Sequence, residues 1–155
     1  NEERFLDVDK IVENFLGHKI LVLHQGITEF NKFAGELQST DLPKNFTYYA
    51  MGHLHDKEIK EFNHIKGPIV YPGSIELTTS EGIKDVKKGF FEVDISGKEA
   101  IPKWIELDTR PQFSFDTEYK ELPKTIDQII EKISNLTNYN SMISRLYFLI
   151  NFSLN

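Results

Sequence analysis

The sequence has 155 residues, of which 39% are hydrophobic and 12% aromatic, which is enough apolar material for one ordinary domain or for one domain and part of another. Its formal net charge of −6 argues against binding nucleic acid by bulk electrostatics, and the absence of cysteine excludes disulfide bonds and thiolate metal sites. No apolar run approaches the roughly 18 residues that a membrane span needs, so we expect no membrane segment. The absence of cysteine fits an intracellular protein.

The first part of the chain is predicted to alternate between helices and strands. Apolar residues recur at helical spacing after Asp7, which is a suitable N-cap, and Gly17 ends that pattern. A short continuous apolar run follows, which is typical of a strand buried on both faces, and Thr28 then begins a second helical pattern. The elements predicted here are, in chain order, a helix over residues 8–16, a strand over 19–23, a helix over 27–37 and a strand over 46–51.

Further along, the pattern is that of short strands separated by Gly, Pro or charged turns. The segment Tyr71-Pro72-Gly73-Ser74 is predicted to be a tight loop, because Pro fixes one φ angle and Gly frees another. Helix and strand followed by such a meander indicate an α/β layered domain closed by an antiparallel sheet. The strands predicted in this part cover residues 58–62, 69–71, 89–95 and 103–107.

A domain boundary is predicted at residues 108–111, which gives one domain over residues 1–108 and another over residues 109–155. In the second domain, Thr125-Ile126-Asp127-Gln128 is a capping box that begins an amphipathic helix. A β-α-β piece of this size is too small to bury its own core well. Its predicted elements are a strand over residues 112–119, the helix from Thr125 and a strand over residues 145–152.

Three of the five histidines lie where predicted strands end. His53 and His55 alternate within Gly52-His53-Leu54-His55, so their side chains would share one face of an extended strand. His24 ends the earlier apolar strand and would supply a third imidazole. Neutral imidazole is the commonest protein ligand for metals, so the pattern predicts a metal site with three nitrogen ligands.

The acidic residues near this motif form no recognisable ligand cluster. Asp56, Glu58 and Glu61 lie in mixed-charge segments and are predicted to be solvated, as are the two remaining histidines, His18 and His64. Three imidazoles alone could hold one zinc ion with an open position for water. A two-metal hydrolase also needs a bridging carboxylate, which the sequence does not visibly contain, so the predicted site is incomplete.

Four segments carry motifs that occur together in one family: Ile20-Leu21-Val22-Leu23-His24-Gln25-Gly26, Gly52-His53-Leu54-His55, Tyr71-Pro72-Gly73-Ser74-Ile75-Glu76 and Lys88-Gly89-Phe90-Phe91. They resemble the later motifs of calcineurin-like metallophosphoesterases and, more narrowly, of the archaeal DNA double-strand-break repair nucleases of the meiotic-recombination-eleven/SbcD family. His-Gln-Gly in place of the His-Pro of phosphatases, and the Tyr-Pro-Gly-Ser loop, favour the nuclease branch. The resemblance extends over residues 19–150, and Thr109-Arg110-Pro111 with the β-α-β pattern after it resembles the start of that family's DNA-capping domain.

The resemblance implies the second half of a metallophosphoesterase β-sandwich flanked by helices, followed by a partial β-α-β capping domain. It implies two divalent metal ions, most typically Mn2+, while Zn2+ and Fe2+ also accept mixed nitrogen and oxygen ligands. His24 and His53 would bind one ion, and His55 the other. The family's earlier motifs (Asp-x-His, Gly-Asp-x-x-Asp and Gly-Asn-His) do not occur in this sequence, so the chain is expected to be inactive alone, although the full-length parent would be a Mn-dependent exo- or endonuclease.

The implied partners are DNA ends and a coiled-coil ABC-type ATPase of the Rad-fifty/SbcC type, which places the protein in the cytoplasm near the nucleoid. The family's homodimer is not expected for this chain alone, because the dimer helices belong to the first half of the family's catalytic domain. Lys84, Lys87 and Lys88 form the only tight group of lysines. This group is predicted to be a solvated turn rather than a DNA contact.

Two other functions are compatible with the same residues. One is another hydrolase of the superfamily, such as a nucleotide phosphodiesterase, although the Gln25-Gly26 pair and the β-α-β tail count against it. The other is a non-catalytic module that binds one zinc ion or none and serves as a protein interaction platform. The absence of ligand carboxylates favours that alternative for the chain as it stands.

Overall fold

The structure, a computed structural model, describes residues 8–76, 87–109, 112–136 and 147–153. The chain divides into two compact units, the first containing residues 1–75 and 87–107 and the second residues 76–86 and 108–155. Residues 8–12 are helical and form α1. The other elements are, in chain order, β1 (Ile20–His24), β2 (Tyr48–Gly52), β3 (Glu58–Lys60), β4 (Ile69–Tyr71), β5 (Gly89–Asp94), β6 (Ile101–Glu106), β7 (Gln112–Glu118), α2 (Leu122–Leu136) and β8 (Tyr147–Ser153).

A four-stranded sheet forms the centre of the first unit, with strand order β1-β2-β4-β3. The first three of these strands run parallel, and β3 is antiparallel to β4. In the register of β1 and β2, His24 lies opposite Gly52. The carboxyl ends of the three parallel strands therefore meet at one edge of the sheet, which is where α/β proteins commonly bind ligands.

Apolar side chains cover both faces of this sheet. One face packs into the larger core cluster, in which Tyr49, Ile69 and Tyr71 are fully buried. On the other face, Tyr48 and Val70 pack with Phe91 and Val93 of the antiparallel β5–β6 hairpin. The expectation of an α/β fold with a meander in its second part is consistent with this arrangement, and the strand over residues 69–71 has the predicted bounds.

The first predicted helix is shorter than expected, and β1 is not buried on both faces. Only residues 8–12 are helical, with Val8 and Val12 packed against the core, while Leu16 is fully exposed; the proposed N-cap lies outside the described residues. On β1, Val22 is 74% exposed, because β1 is the end strand of the sheet in the described part of the chain. The prediction of a doubly buried strand was wrong for that reason.

The second predicted helix, over residues 27–37, does not form. The segment is a series of turns closed by an isolated bridge between Ile27 and Leu37. The side-chain oxygen of Asn31 accepts hydrogen bonds from the backbone N–H groups of Phe33 and Ala34. Such local bonds compete with the helical pattern, and they favoured a compact loop over the predicted helix.

The second unit is a β-α-β arrangement: β7 and β8 pair in parallel, and α2 lies between them in the sequence. The helix begins at Leu122, so Thr125 lies inside it and is not the predicted N-cap. The buried Thr125 hydroxyl lies 2.8 Å from the hydroxyl of Thr117 on β7 and 3.3 Å from the carbonyl oxygen of Glu121. Thr125 therefore links the helix to the sheet. Neither helix in the described ranges has the length and apolar content to cross a membrane.

Candidate functional site

Two of the three predicted ligands meet at the carboxyl-terminal edge of the sheet. His24 is the last residue of β1, and His53 follows the last residue of β2. Their ring centroids are 5.6 Å apart, with an angle of 79° between the ring planes. Two imidazole nitrogens bound to one ion at about 2.1 Å and a tetrahedral angle place the ring centres roughly 5 Å apart. The observed distance between the ring centroids is close to that value.

Glycines make room for both rings. A Cβ atom on Gly52 would lie 2.6 Å from Nδ1 of His24, a distance that would force the ring to move. A Cβ atom on Gly26 would lie 3.2 Å from Cδ2 of His53 and only 1.7 Å from the carbonyl oxygen of Ala34. The His24 ring therefore lies against Gly52, the residue before His53. The His53 ring lies against Gly26, two residues after His24.

The backbone of His53 has an unusual conformation. Its φ angle is +100°, and no other non-glycine residue of the described chain has a positive φ. For a residue with a Cβ atom this conformation typically costs about 1–3 kcal/mol. The surrounding structure must therefore hold it, and such outliers concentrate at functional sites.

The third predicted ligand, His55, does not join the pair. Strand β2 ends at Gly52, and the turn at His53 breaks the alternation that would have placed His53 and His55 on one strand face. His55 is exposed, and no group of three or more His, Cys, Asp or Glu residues that could hold a metal ion occurs in the described part of the chain. The three-imidazole site therefore stays a prediction, while the pair of His24 and His53 is present.

We call residues 24–27 the first histidine loop and residues 53–57 the second histidine loop. Tyr71, at the end of β4, holds the first. Its hydroxyl donates to the carbonyl oxygen of Gln25 (2.7 Å) and accepts from the N–H of Ile27 (3.1 Å). Burial raises the pKa of Tyr71 to about 12, so the hydroxyl keeps its proton at physiological pH. The sequence indicated a turn after Tyr71 but not this role.

The second histidine loop is held through the carbonyl oxygen of His55. It accepts hydrogen bonds from the ammonium group of Lys88 (2.8 Å) and from the backbone N–H of Ser74 (3.1 Å). Lys88 is only 3% exposed, so the prediction that it belongs to a solvated turn was wrong; Lys84 lies outside the described residues, and Lys87 is exposed. Nothing in the sequence signalled this burial beyond the position of Lys88 before a strand.

The other titratable residues near the motif agree with their predicted exposure, with one exception. His18, His64, Asp56 and Glu61 are exposed, whereas Glu58 is partly buried on β3. None of these carboxylates forms a metal-ligand group with the described histidines.

A cavity of about 460 Å3 adjoins His24 and is also lined by Gly52 and Pro72 together with apolar side chains of the sheet and of β5. A larger cavity, of about 730 Å3, opens elsewhere on the first unit and is lined by His18 and Thr47 among others. None of the three predicted ligands lines the larger cavity. Of the three, His24 lines the smaller cavity, whereas His53 and His55 do not.

Comparison with known proteins gives a consistent result. The chain is 36% identical over 124 residues to the DNA double-strand break repair protein Mre11 of Methanocaldococcus jannaschii, a match that covers 77% of this chain and 33% of the relative. The corresponding protein of Thermoplasma acidophilum is 35% identical over 133 residues, covering 81% of this chain and 33% of the relative. That of Sulfolobus acidocaldarius is 33% identical over 119 residues, covering 74% and 31%. The chain spans about a third of the length of these curated relatives. No protein-family model matches it.

Proposed function

Because the chain belongs to the Mre11 family, we propose that it forms part of a metal-dependent nuclease that hydrolyses phosphodiester bonds at DNA ends during double-strand-break repair. The observation that carries this proposal is the adjacent pair of His24 and His53 at the carboxyl-terminal edge of the parallel strands. The relatives are named for DNA double-strand break repair, and the paired imidazoles are the ligand type that a metal-dependent hydrolase needs.

In this proposal residues 1–108 form the second half of a catalytic β-sandwich, and residues 109–155 form part of a DNA-capping domain. His24 and His53 contribute neutral nitrogen ligands to one metal ion, and His55 contributes to a second. Two bound divalent cations, for which Mn2+ is the favoured identity, would offset the phosphate charge and acidify water. The remaining ligands, including the bridging carboxylate, would come from the family's earlier motifs, which do not occur in this sequence, so the chain by itself is proposed to be inactive.

The partners follow from the same proposal. DNA ends are the substrate, and a coiled-coil ABC-type ATPase is the expected protein partner, which implies action inside the cell and near the nucleoid. A homodimer is proposed for the full-length protein and not for this chain alone. With a net charge of −6, binding to DNA would depend on the metal ions and on local groups more than on bulk charge.

A chimera tests the proposal. The matching third of the Methanocaldococcus jannaschii relative is replaced by this chain, and nucleotide release from linear and from closed circular double-stranded DNA is measured with Mn2+, with the unmodified relative assayed in parallel. We expect activity on linear DNA, and a loss of at least about a hundredfold in His24→Ala and His53→Ala chimeras, because each removes a metal ligand.

The control for this assay is His18→Ala, which removes an exposed histidine and should leave the rate within about twofold. Equal rates in the His24→Ala, His53→Ala and unsubstituted chimeras would contradict the proposal. Release of phosphate from mononucleotides with DNA ends left intact would instead support a nucleotide phosphodiesterase.

One observation favours the second candidate function, a non-catalytic module that binds a single metal ion. Among the described residues, the pair of His24 and His53 is not extended to a group of three ligands. Metal titration of the chimera separates the two functions. Saturation at one equivalent of metal, without hydrolysis, supports the module, whereas saturation at two equivalents supports the nuclease.

A further inference from the structure

We propose that Lys88 is a positioning residue whose buried ammonium group fixes the second histidine loop in the conformation that metal binding by His53 requires. This inference rests on the proposed function, because it concerns the same metal ligands. Lys88 touches neither ligand ring in the contacts described above. Its role would be exerted through the backbone of the loop that follows His53.

The first argument is the cost of burying a charge. Lys88 is 3% exposed, and lysine is almost never buried to this extent unless its charge is paired or hydrogen-bonded. Its ammonium group donates to the carbonyl oxygen of His55 at 2.8 Å, and a hydrogen bond from a charged donor is stronger than a neutral one. An apolar residue could fill the same space without the free-energy cost of removing a charge from water.

The second argument is that two donors meet at one oxygen. The carbonyl oxygen of His55 also accepts from the backbone N–H of Ser74, so both of its lone pairs are used. Gly73, with φ +78°, brings the chain so close that a Cβ atom on it would lie 2.7 Å from this oxygen. The His55 peptide group is thus fixed from two directions, by the turn after β4 and by the residue before β5.

The third argument is the strain at His53. Its φ of +100° persists only if the neighbouring structure determines it, and the fixed carbonyl of His55 lies just two residues later. The hairpin that follows Lys88 adds a further contact to the loop, since the ammonium group of Lys57 lies 4.4 Å from the centre of the Trp104 ring. The bond from Lys88 is therefore one of the buried contacts that hold the strained segment.

The experiment compares Lys88→Met with Lys87→Met in this chain. Methionine keeps the length of the lysine stem and removes the donor, while Lys87 is the adjacent, exposed lysine that pairs with Glu106. The probe is Mn2+ alone, and the readout is the paramagnetic broadening of the imidazole NMR signals, with those of His18 and His64 as internal references. Circular dichroism establishes that each variant is folded.

We expect the Mn2+ concentration that half-broadens the His53 signal to rise about tenfold in Lys88→Met, which is the effect typical of losing a group that orients a ligand. It should stay within about twofold in Lys87→Met, because Lys87 is exposed and does not contact the loop in the bonds described above. In the absence of metal, hydrogen exchange at the Ser74 amide should accelerate in Lys88→Met and not in Lys87→Met.

A Lys88→Met titration within twofold of the wild type would overturn the inference and leave the proposed function standing. If Lys88→Met fails to fold, Lys88→Gln is titrated instead, because its shorter neutral amide does not reach the His55 oxygen, and a wild-type affinity there would overturn the inference equally. Absence of any selective broadening in the wild-type chain would show that its imidazoles do not bind Mn2+ without the ligands supplied by the rest of the relative. The Lys88→Met and Lys87→Met substitutions are then compared in the chimera described above, where equal Mn2+ titrations would overturn the inference and leave the proposed function standing.

Discussion

The first histidine loop is partly buried and is fixed by a side chain of the core, whereas the second is largely exposed and is fixed through the backbone carbonyl of His55, which accepts from the buried Lys88. In the first, Gly26 and Ile27 are buried and the hydroxyl of Tyr71 bonds to the backbone on both sides of Gly26. In the second, His55 and its two successors are exposed. Perturbing the first loop should therefore reduce global stability, while perturbing the second should change loop conformation and metal binding with little effect on unfolding.

The largest expected effect is that of alkaline pH on the free energy of unfolding, because Tyr71, which holds the first loop, is one of three buried tyrosines. Burial raises the pKa of Tyr71, Tyr48 and Tyr49 to about 12, against an ordinary value near 10. Between pH 10 and 12 the unfolded chain releases protons that the folded chain retains, so stability is complete below pH 10 and is lost as the pH rises towards 12. The free energy of unfolding from urea titrations should fall by up to about 4 kcal/mol per pH unit, at about 1.4 kcal/mol for each proton.

The second effect is that of Gly26→Ala. The added Cβ atom would lie 1.7 Å from the carbonyl oxygen of Ala34, and because this neighbour is backbone, the loop itself would have to move. We expect the free energy of unfolding to fall by about 3 kcal/mol. Gly97→Ala is the matched control, since no atom lies within 4 Å of its Cβ position. An equal loss in both variants in thermal denaturation would show that the tight packing of the first loop is unimportant.

The third effect is that of Tyr71→Phe, which keeps the ring and removes the hydroxyl. The buried N–H of Ile27 and the carbonyl of Gln25 would lose a partner, at a cost of about 2 kcal/mol. The exposed Tyr119 provides the control Tyr119→Phe, with a change of less than about 0.5 kcal/mol. Tyr71→Phe should also reduce the alkaline slope by one third. An unchanged slope would assign the alkaline transition to other groups.

The fourth effect has the opposite sign and concerns the second loop. Glycine adopts positive φ angles without strain, so His53→Gly should raise the free energy of unfolding by about 1 kcal/mol while abolishing the Mn2+-induced broadening of the His24 signal. The control is His64→Gly at an exposed position with ordinary φ, which should lower stability by about 0.5 kcal/mol. Destabilisation by His53→Gly would mean that the imidazole contributes more packing than its backbone costs.

The smallest effect is that of Lys57→Met, which removes the cation over the Trp104 ring. Because Lys57 is exposed, we expect a loss of about 0.5 kcal/mol in the free energy of unfolding. The rate of hydrogen exchange at the Ser74 amide should change much less in Lys57→Met than in Lys88→Met. A loss larger than that of Tyr71→Phe would invert the comparison between the two loops.

Parts of the fold were accessible from the sequence because the signals are local. The strand at Ile69–Tyr71 and the β-α-β order of the second unit follow from apolar periodicity and turn residues. The prediction of a helix over residues 27–37 was wrong. The apolar residues of this segment do pack against the core, but a loop and not a helix places them there. Periodicity reports which residues are apolar, and it does not by itself distinguish a helix from a loop that buries the same side chains.

For the site, the sequence by itself predicted that histidines lie where two strands end, because strand ends and ligand residue types are local features of the sequence. Only the tertiary structure showed that His24 and His53 lie next to each other, because β1 and β2 pair in parallel and end at the same edge of the sheet. The bond from Lys88 to His55 and the bond from Tyr71 to Gln25 were likewise decided by the tertiary structure. They join residues that are 33 and 46 positions apart in the sequence, respectively. Such contacts depend on how strands and loops pack in three dimensions, which no local pattern records.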